Sequence, residues 1–181
     1  MARRGGRPAA GCATINGIMT SPNRSTEQPA PAAVTTTTDI AWRSDRVFDA
    51  GPAGRTHRID ANAKEAPGPV EALLNAVATC SAVDIIEIIA KRKTPVERLT
   101  AHVSAERRAD YPRRVQRIEI EYVLEGAAIE REAAERAVQL SFERYCSVAA
   151  SLAPDIVLTT RLTLNGERLP PVRQSIWTPT V

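Results

Sequence analysis

From Val70 to Ala90 apolar residues fall on almost every side of a 3.6-residue helix. The polar ones, Cys80, Asp84, Glu87 and Lys91, follow one another at intervals of four, three and four along a single stripe. Pro69 suits the first turn of that helix, and "KRKTP" with Pro95 is a basic stop at its end. A helix this apolar belongs in the middle of a fold, packed on several faces. Further on the period changes to two. Ile118, Ile120, Tyr122 and Leu124 alternate with Arg117, Glu119 and Glu121, with Val115 out of phase, which predicts an antiparallel strand with one buried face. Its partner is "ERLTAHVSAERRA", joined to it through "DYPRR". A second amphipathic helix is read in "AIEREAAERAVQLSFERYC", with Ile129, Ala133, Ala137, Leu140 and Phe142 or Tyr145 on its apolar side. "DIVLTTRLTLNG" closes the sheet, and three β-rich segments, "TTTTDIAWRS", "RVFDAG" and "RTHRIDA", precede the long helix. Strands and helices are segregated rather than alternating, so the fold class is α+β and not a doubly wound parallel sheet. Neither an internal repeat nor a phosphate-binding glycine pattern is present.

Composition adds where the charge sits. The chain of 181 residues is 43% hydrophobic but only 4% aromatic, so its core is built from Ala, Val, Ile and Leu. The net charge of +3 comes from Arg3, Arg4, Arg7 and Arg24 against Glu27, and the remainder of the chain is neutral. A neutral domain poor in aromatics lacks the footprint of a nucleic-acid binder. The charges at Glu71, Asp84 and Glu87 interrupt the most apolar stretch, which argues against a membrane span. Residues 1–34, rich in Arg, Gly, Pro, Ser and Thr, are expected to be an unstructured extension, with Met19 as an alternative start. Their resemblance to a transit peptide or a lipoprotein signal is incomplete, because no apolar segment precedes Cys12. Three scattered cysteines do not make a secreted disulfide framework, and His57 and His102 lack zinc-ligand spacing. The expectation is therefore a reducing cytoplasm, no metal and no bound cofactor.

Cys80 heads the polar stripe of the long helix. Its ordinary role is packing, since free cysteine behaves as a small buried hydrophobe. A reactive thiol needs a nearby cation or helix N-terminus, and Asp84, one turn away, pushes in the opposite direction. An arginine from elsewhere would be needed, with Arg55, Arg58 and Arg144 as candidates. Cys146, at the end of the second helix, poses the same alternative. The residues alone leave both open.

The joint pattern narrows the reading. "GPVEALLNAVATCSAVDIIEIIAKRK", two antiparallel strands, then "SFERYCSVAASL" and a closing strand together resemble the OsmC/Ohr family of organic hydroperoxide reductases and osmotically inducible proteins. The resemblance covers residues 35–168, leaving 169–181 as a C-terminal tail, and is strongest to the subgroup carrying a "C-S-A-x-D" element. It implies antiparallel sheets wrapped around two central helices in an intertwined homodimer, with sites at the subunit interface. Carried onto matching positions, it implies that Cys80 attacks a peroxide and that Cys146 resolves the sulfenic acid as a disulfide. An external dithiol, a lipoylated or other dithiol protein, would then reduce that disulfide. The chain departs from the hydroperoxide reductases at one point. There a glutamate directly follows the helix-opening proline and pairs with an activating arginine. Here Val70 holds that position, and Glu71 lies about 100° further round the helix. Arg58 and Arg55 are the candidate arginines, with Glu71 and Asp84 as supporting carboxylates. The alternative function is a non-peroxidase relative that binds a small hydrophobic or acyl ligand at the dimer interface. A cysteine hydrolase using His57 or His102 as base is a third reading.

Overall fold

The structure is a computed structural model that describes residues 33–177, so most of the expected N-terminal extension lies outside the described residues. Three short strands come first: β1 (Asp39–Ser44), β2 (Val47–Gly51) and β3 (His57–Asp60), antiparallel in that order. A loop pinned by Asp60 leads to the long helix. Its buried carboxylate accepts backbone N–H groups of Asn62, Lys64 and Glu65 at 2.8, 3.0 and 3.1 Å. Those donors stabilise the ionised form and hold the Asp60 carboxyl below its usual range.

Helix α1 spans Pro69–Ala90, and Glu71 closes its first turn by accepting the Gly68 N–H at 2.7 Å. Strands β4 (Arg98–Arg107) and β5 (Val115–Glu125) follow as a long antiparallel pair. The alternation expected in β5 is present: Ile118, Ile120, Tyr122 and Leu124 are buried. Val115 is buried as well, because the register slips between Glu106 and Arg107 and leaves Gln116 as an extra residue. A bulge reverses which face the next side chain meets, so the out-of-phase valine still points inward.

Helix α2 (Arg131–Leu140) runs directly into a π-helical turn (Ser141–Tyr145), breaks at Cys146, and resumes as the short α3 (Ser147–Ala150). The expected continuous helix is thus three pieces. Phe142 rather than Tyr145 fills the core: it is fully buried, while Tyr145 is exposed. Strand β6 (Val157–Leu164) then lies parallel to β5, not antiparallel. The helical segment between them supplies the crossover that a parallel pair requires. The fold remains α+β, with this one parallel pair inside the second sheet.

Residues 169–177, expected as a tail, belong to the domain. After β7 (Glu167–Arg168), β8 (Val172–Arg173) pairs with β6, Leu169 and Gln174 are buried, and Trp177 N–H bonds Phe142 O at 3.0 Å. Pro170 and Pro171 hide so short a strand from any pattern, since proline interrupts a strand reading.

Val77, Ser81, Ile85 and Ile89 of α1 face the core formed by β5, β6 and α2. The opposite side is bare. Val83 is 54% and Ile86 41% exposed, and in β1 Ile40 and Trp42 are exposed too. Packing on several faces is therefore not achieved within one chain. By length and composition α1 also passes as a membrane span, contrary to the expectation from its charges. Val77, Ser81, Ile85 and Ile89 pack it against the core, and 28% of its most apolar window is buried by its own chain.

Candidate active site

The site is built where the middle of α1 meets the break after α2. In a regular helix, residues five apart point about 140° away from each other. The π turn bonds Cys146 N–H back to Ser141 O at 2.7 Å, which wraps five residues into one turn. Ser141 and Cys146 consequently both meet α1. Ser141 Oγ donates to Asp84 Oδ2 at 2.8 Å, and the sulfurs of Cys80 and Cys146 and a carboxylate oxygen of Asp84 all lie within 4.8 Å of one another. The cysteines, 66 positions apart in the sequence, a separation to which no spacing rule applies, fold into a contact.

The two thiols differ in setting. Cys80 is half-buried, whereas Cys146 is 2% exposed. Cys146 also caps α3, its sulfur accepting the Ala149 N–H at 3.4 Å. Burial pushes the Cys146 thiol up to about 12. The neighbouring Cys80 and Asp84 reinforce that shift, and the Ala149 N–H partly opposes it. At neutral pH Cys146 is therefore a protonated thiol beside the more accessible Cys80. Behind the pair, Ser81 Oγ and Tyr122 OH share a hydrogen bond of 2.5 Å in the core. Burial raises the Tyr122 hydroxyl pKa, so it stays neutral and can donate. On the solvent side Cys146 borders a cleft of about 380 Å³ lined by Arg144, Tyr145, Ser147 and Trp177 among others.

The remaining candidates lie elsewhere. Arg58 is exposed on β3 and pairs with Asp49 at 3.7 Å, and Arg55 is exposed in the loop before β3. Glu71 is occupied as the cap of α1. His57 and His102 are exposed on β3 and β4, and neither is among the groups gathered at the thiols within the described residues. Among the described residues Asp84 makes no ion pair; its partner is the Ser141 hydroxyl. Ser141, Ser81 and Tyr122 were not foreseen. Their signal was weak but present, since each is a hydroxyl on an otherwise apolar face.

A family model described as OsmC-like protein matches residues 61–161. Protein YhfA of Escherichia coli K12 is 35% identical over 123 residues, covering 66% of this chain and 91% of that protein. A hypothetical protein from Aquifex aeolicus is 27% identical, with a TM-score of 0.67 over 73% of this chain and 97% of that one. An organic hydroperoxide resistance protein OsmC from Legionella pneumophila shares the fold at 13% identity, with a TM-score of 0.51 over 74% of this chain and 98% of that one.

Proposed function

The chain belongs to the OsmC-like protein family, and from that membership we propose that it is a thiol-dependent peroxidase for organic hydroperoxides, working as a homodimer. The observation that carries the reading is the meeting of Cys80 on α1 and Cys146 at the break after α2 within 4.8 Å. In the first step the Cys80 thiolate attacks the distal peroxide oxygen. The O–O bond breaks, the alkoxide leaves and takes a proton to become an alcohol, and Cys80 becomes a sulfenic acid. Cys146 then attacks that sulfur, forming the disulfide and expelling water. An external dithiol, a lipoylated or other dithiol protein, returns both thiols by exchange and is itself oxidised. The asymmetry of burial supports this order: the accessible sulfur meets peroxide, and the buried one waits as a neutral thiol that donates to Val77 O at 4.0 Å. A reducing compartment such as the cytoplasm suits a cycle that must begin from two free thiols.

The bare face of α1 supports the homodimer reading. Cys80 and Asp84 lie at the edge of the exposed stripe of Asn75, Thr79, Val83 and Ile86. A second copy seated on that stripe would cover apolar surface and close a dry pocket over the thiols for a hydrophobic peroxide. One observation favours a second reading: within the chain neither Arg55 nor Arg58 reaches the thiols, and Arg144, which lines the cleft at Cys146, lies over the Tyr145 ring at 5.7 Å. An OsmC-like protein that holds a hydrophobic or acyl ligand at the same place without turnover would need no activating arginine. Consumption of cumene hydroperoxide with a dithiol separates the two. Turnover by the wild type that is abolished in Cys80→Ser and stalls after one equivalent in Cys146→Ser supports the peroxidase. Equal rates in all three proteins would end it and leave the ligand-binding reading.

A further inference from the structure

The same three side chains have a capacity that peroxide chemistry does not use. Two sulfurs and a carboxylate oxygen lie mutually within 4.8 Å, contributed by Cys80 and Asp84 one turn apart on α1 and by Cys146 across from them. We infer that Cys80, Cys146 and Asp84 form a binding site for a thiophilic d¹⁰ cation, with Zn²⁺ as the physiological type. Tetrahedral zinc with metal–sulfur bonds of about 2.3 Å places its ligand atoms roughly 3.8 Å apart, so the observed triangle needs side-chain adjustment of about an ångström or less. Two thiolates with one carboxylate are donors that zinc takes and that magnesium or calcium do not. Because there are three protein ligands, the fourth position is left for water or a ligand from the solvent side, where Cys80 is half-exposed and Cys146 borders the cleft.

Electrostatics point the same way. Once the thiols ionise, the three groups repel one another, and among the described residues no cation pairs with Asp84. A bound divalent ion turns that mutual repulsion into attraction. Binding replaces two S–H bonds by two metal–sulfur bonds and releases two protons, with no change of oxidation state. Ser141 Oγ, at 2.8 Å from Asp84 Oδ2, orients the carboxylate while leaving it free lone pairs for the metal. These side chains come from α1 and from the break after α2, so no local spacing reports them.

The binding claim stands without the peroxidase reading. Its consequence rests on that reading: a cation held by both sulfurs blocks the peroxide cycle, and a chelator restores it. The test is titration of the reduced, full-length Cys12→Ser protein with Co²⁺ as a spectroscopic stand-in, followed by displacement with Zn²⁺. The expected result is thiolate-to-cobalt charge-transfer absorption saturating at one ion per chain. It is lost in Cys80→Ser and in Asp84→Asn, and Ser141→Ala weakens affinity by about tenfold. Circular dichroism of each variant checks folding. Binding undiminished in Asp84→Asn overturns the three-ligand site in favour of a bare dithiol. If peroxide is consumed but no cobalt is bound, the cation site fails and the peroxidase stands. If cobalt is bound but no peroxide is consumed, the peroxidase fails and the cation site stands.

Discussion

Cys146 is held as a thiol by its surroundings, and that has a consequence for stability. Its folded-state pKa, about 12, lies above its ordinary value of 9.0 because burial opposes the thiolate. The folded protein therefore binds this proton more tightly than the unfolded chain does. The stabilisation is complete below pH 9 and is lost as the pH rises toward the folded value. Tyr122, raised mainly by its burial, acts in the same direction. Metal-free protein should lose denaturant stability progressively above pH 9, and Cys146→Ser should flatten that alkaline limb. An unchanged slope in urea titrations of the variant at pH 8 and pH 10 would contradict the assignment. The cysteines also mark the limit of reading residues singly. Taken alone, Cys80 beside Asp84 leans toward an inert packing role without deciding it. Only the resemblance suggested its partner, because the contact is made by a π turn that five ordinary residues, "SFERY", do not announce.

At the level of elements, α1 and β5 were legible because their periods are long and unbroken. Departures occurred where one extra residue changes the phase. Gln116 does so in β5 and re-aims Val115, and the π turn does so after α2. Strand β8 escaped notice because two paired residues between prolines and a polar end carry no period. Glu71 was a candidate for thiol activation, and the structure makes it the cap of α1 through Gly68 N–H. Glu71→Ala should therefore cost about 1 kcal/mol of stability while leaving the peroxide rate per folded molecule unchanged. Chemical denaturation paired with a rate assay checks both halves. A fall in rate without a fall in stability would return Glu71 to the chemistry.

For the whole molecule, the apolar surface left by one chain is the dominant fact. Val83 and Ile86 on α1 and Ile40 and Trp42 on β1 are too exposed for a finished surface. The over-apolar helix was visible in the sequence, but its uncovered side was not, because periodicity cannot say which chain supplies the cover. Val83→Arg places a charge in the middle of that face and should convert the proposed dimer to a monomer in sedimentation equilibrium. A wild type that sediments as a monomer would remove the proposed second copy and the closed pocket with it. The central claim is that Cys80 and Cys146 are one redox couple, and a single-turnover measurement tests it most directly. Reduced protein receives one equivalent of cumene hydroperoxide and is digested without reductant, and its peptides are weighed by mass spectrometry. The expected product carries one Cys80–Cys146 disulfide per chain, with two thiols lost and Cys12 still free. Two unreacted thiols at 80 and 146, or a disulfide that instead engages Cys12, would contradict it.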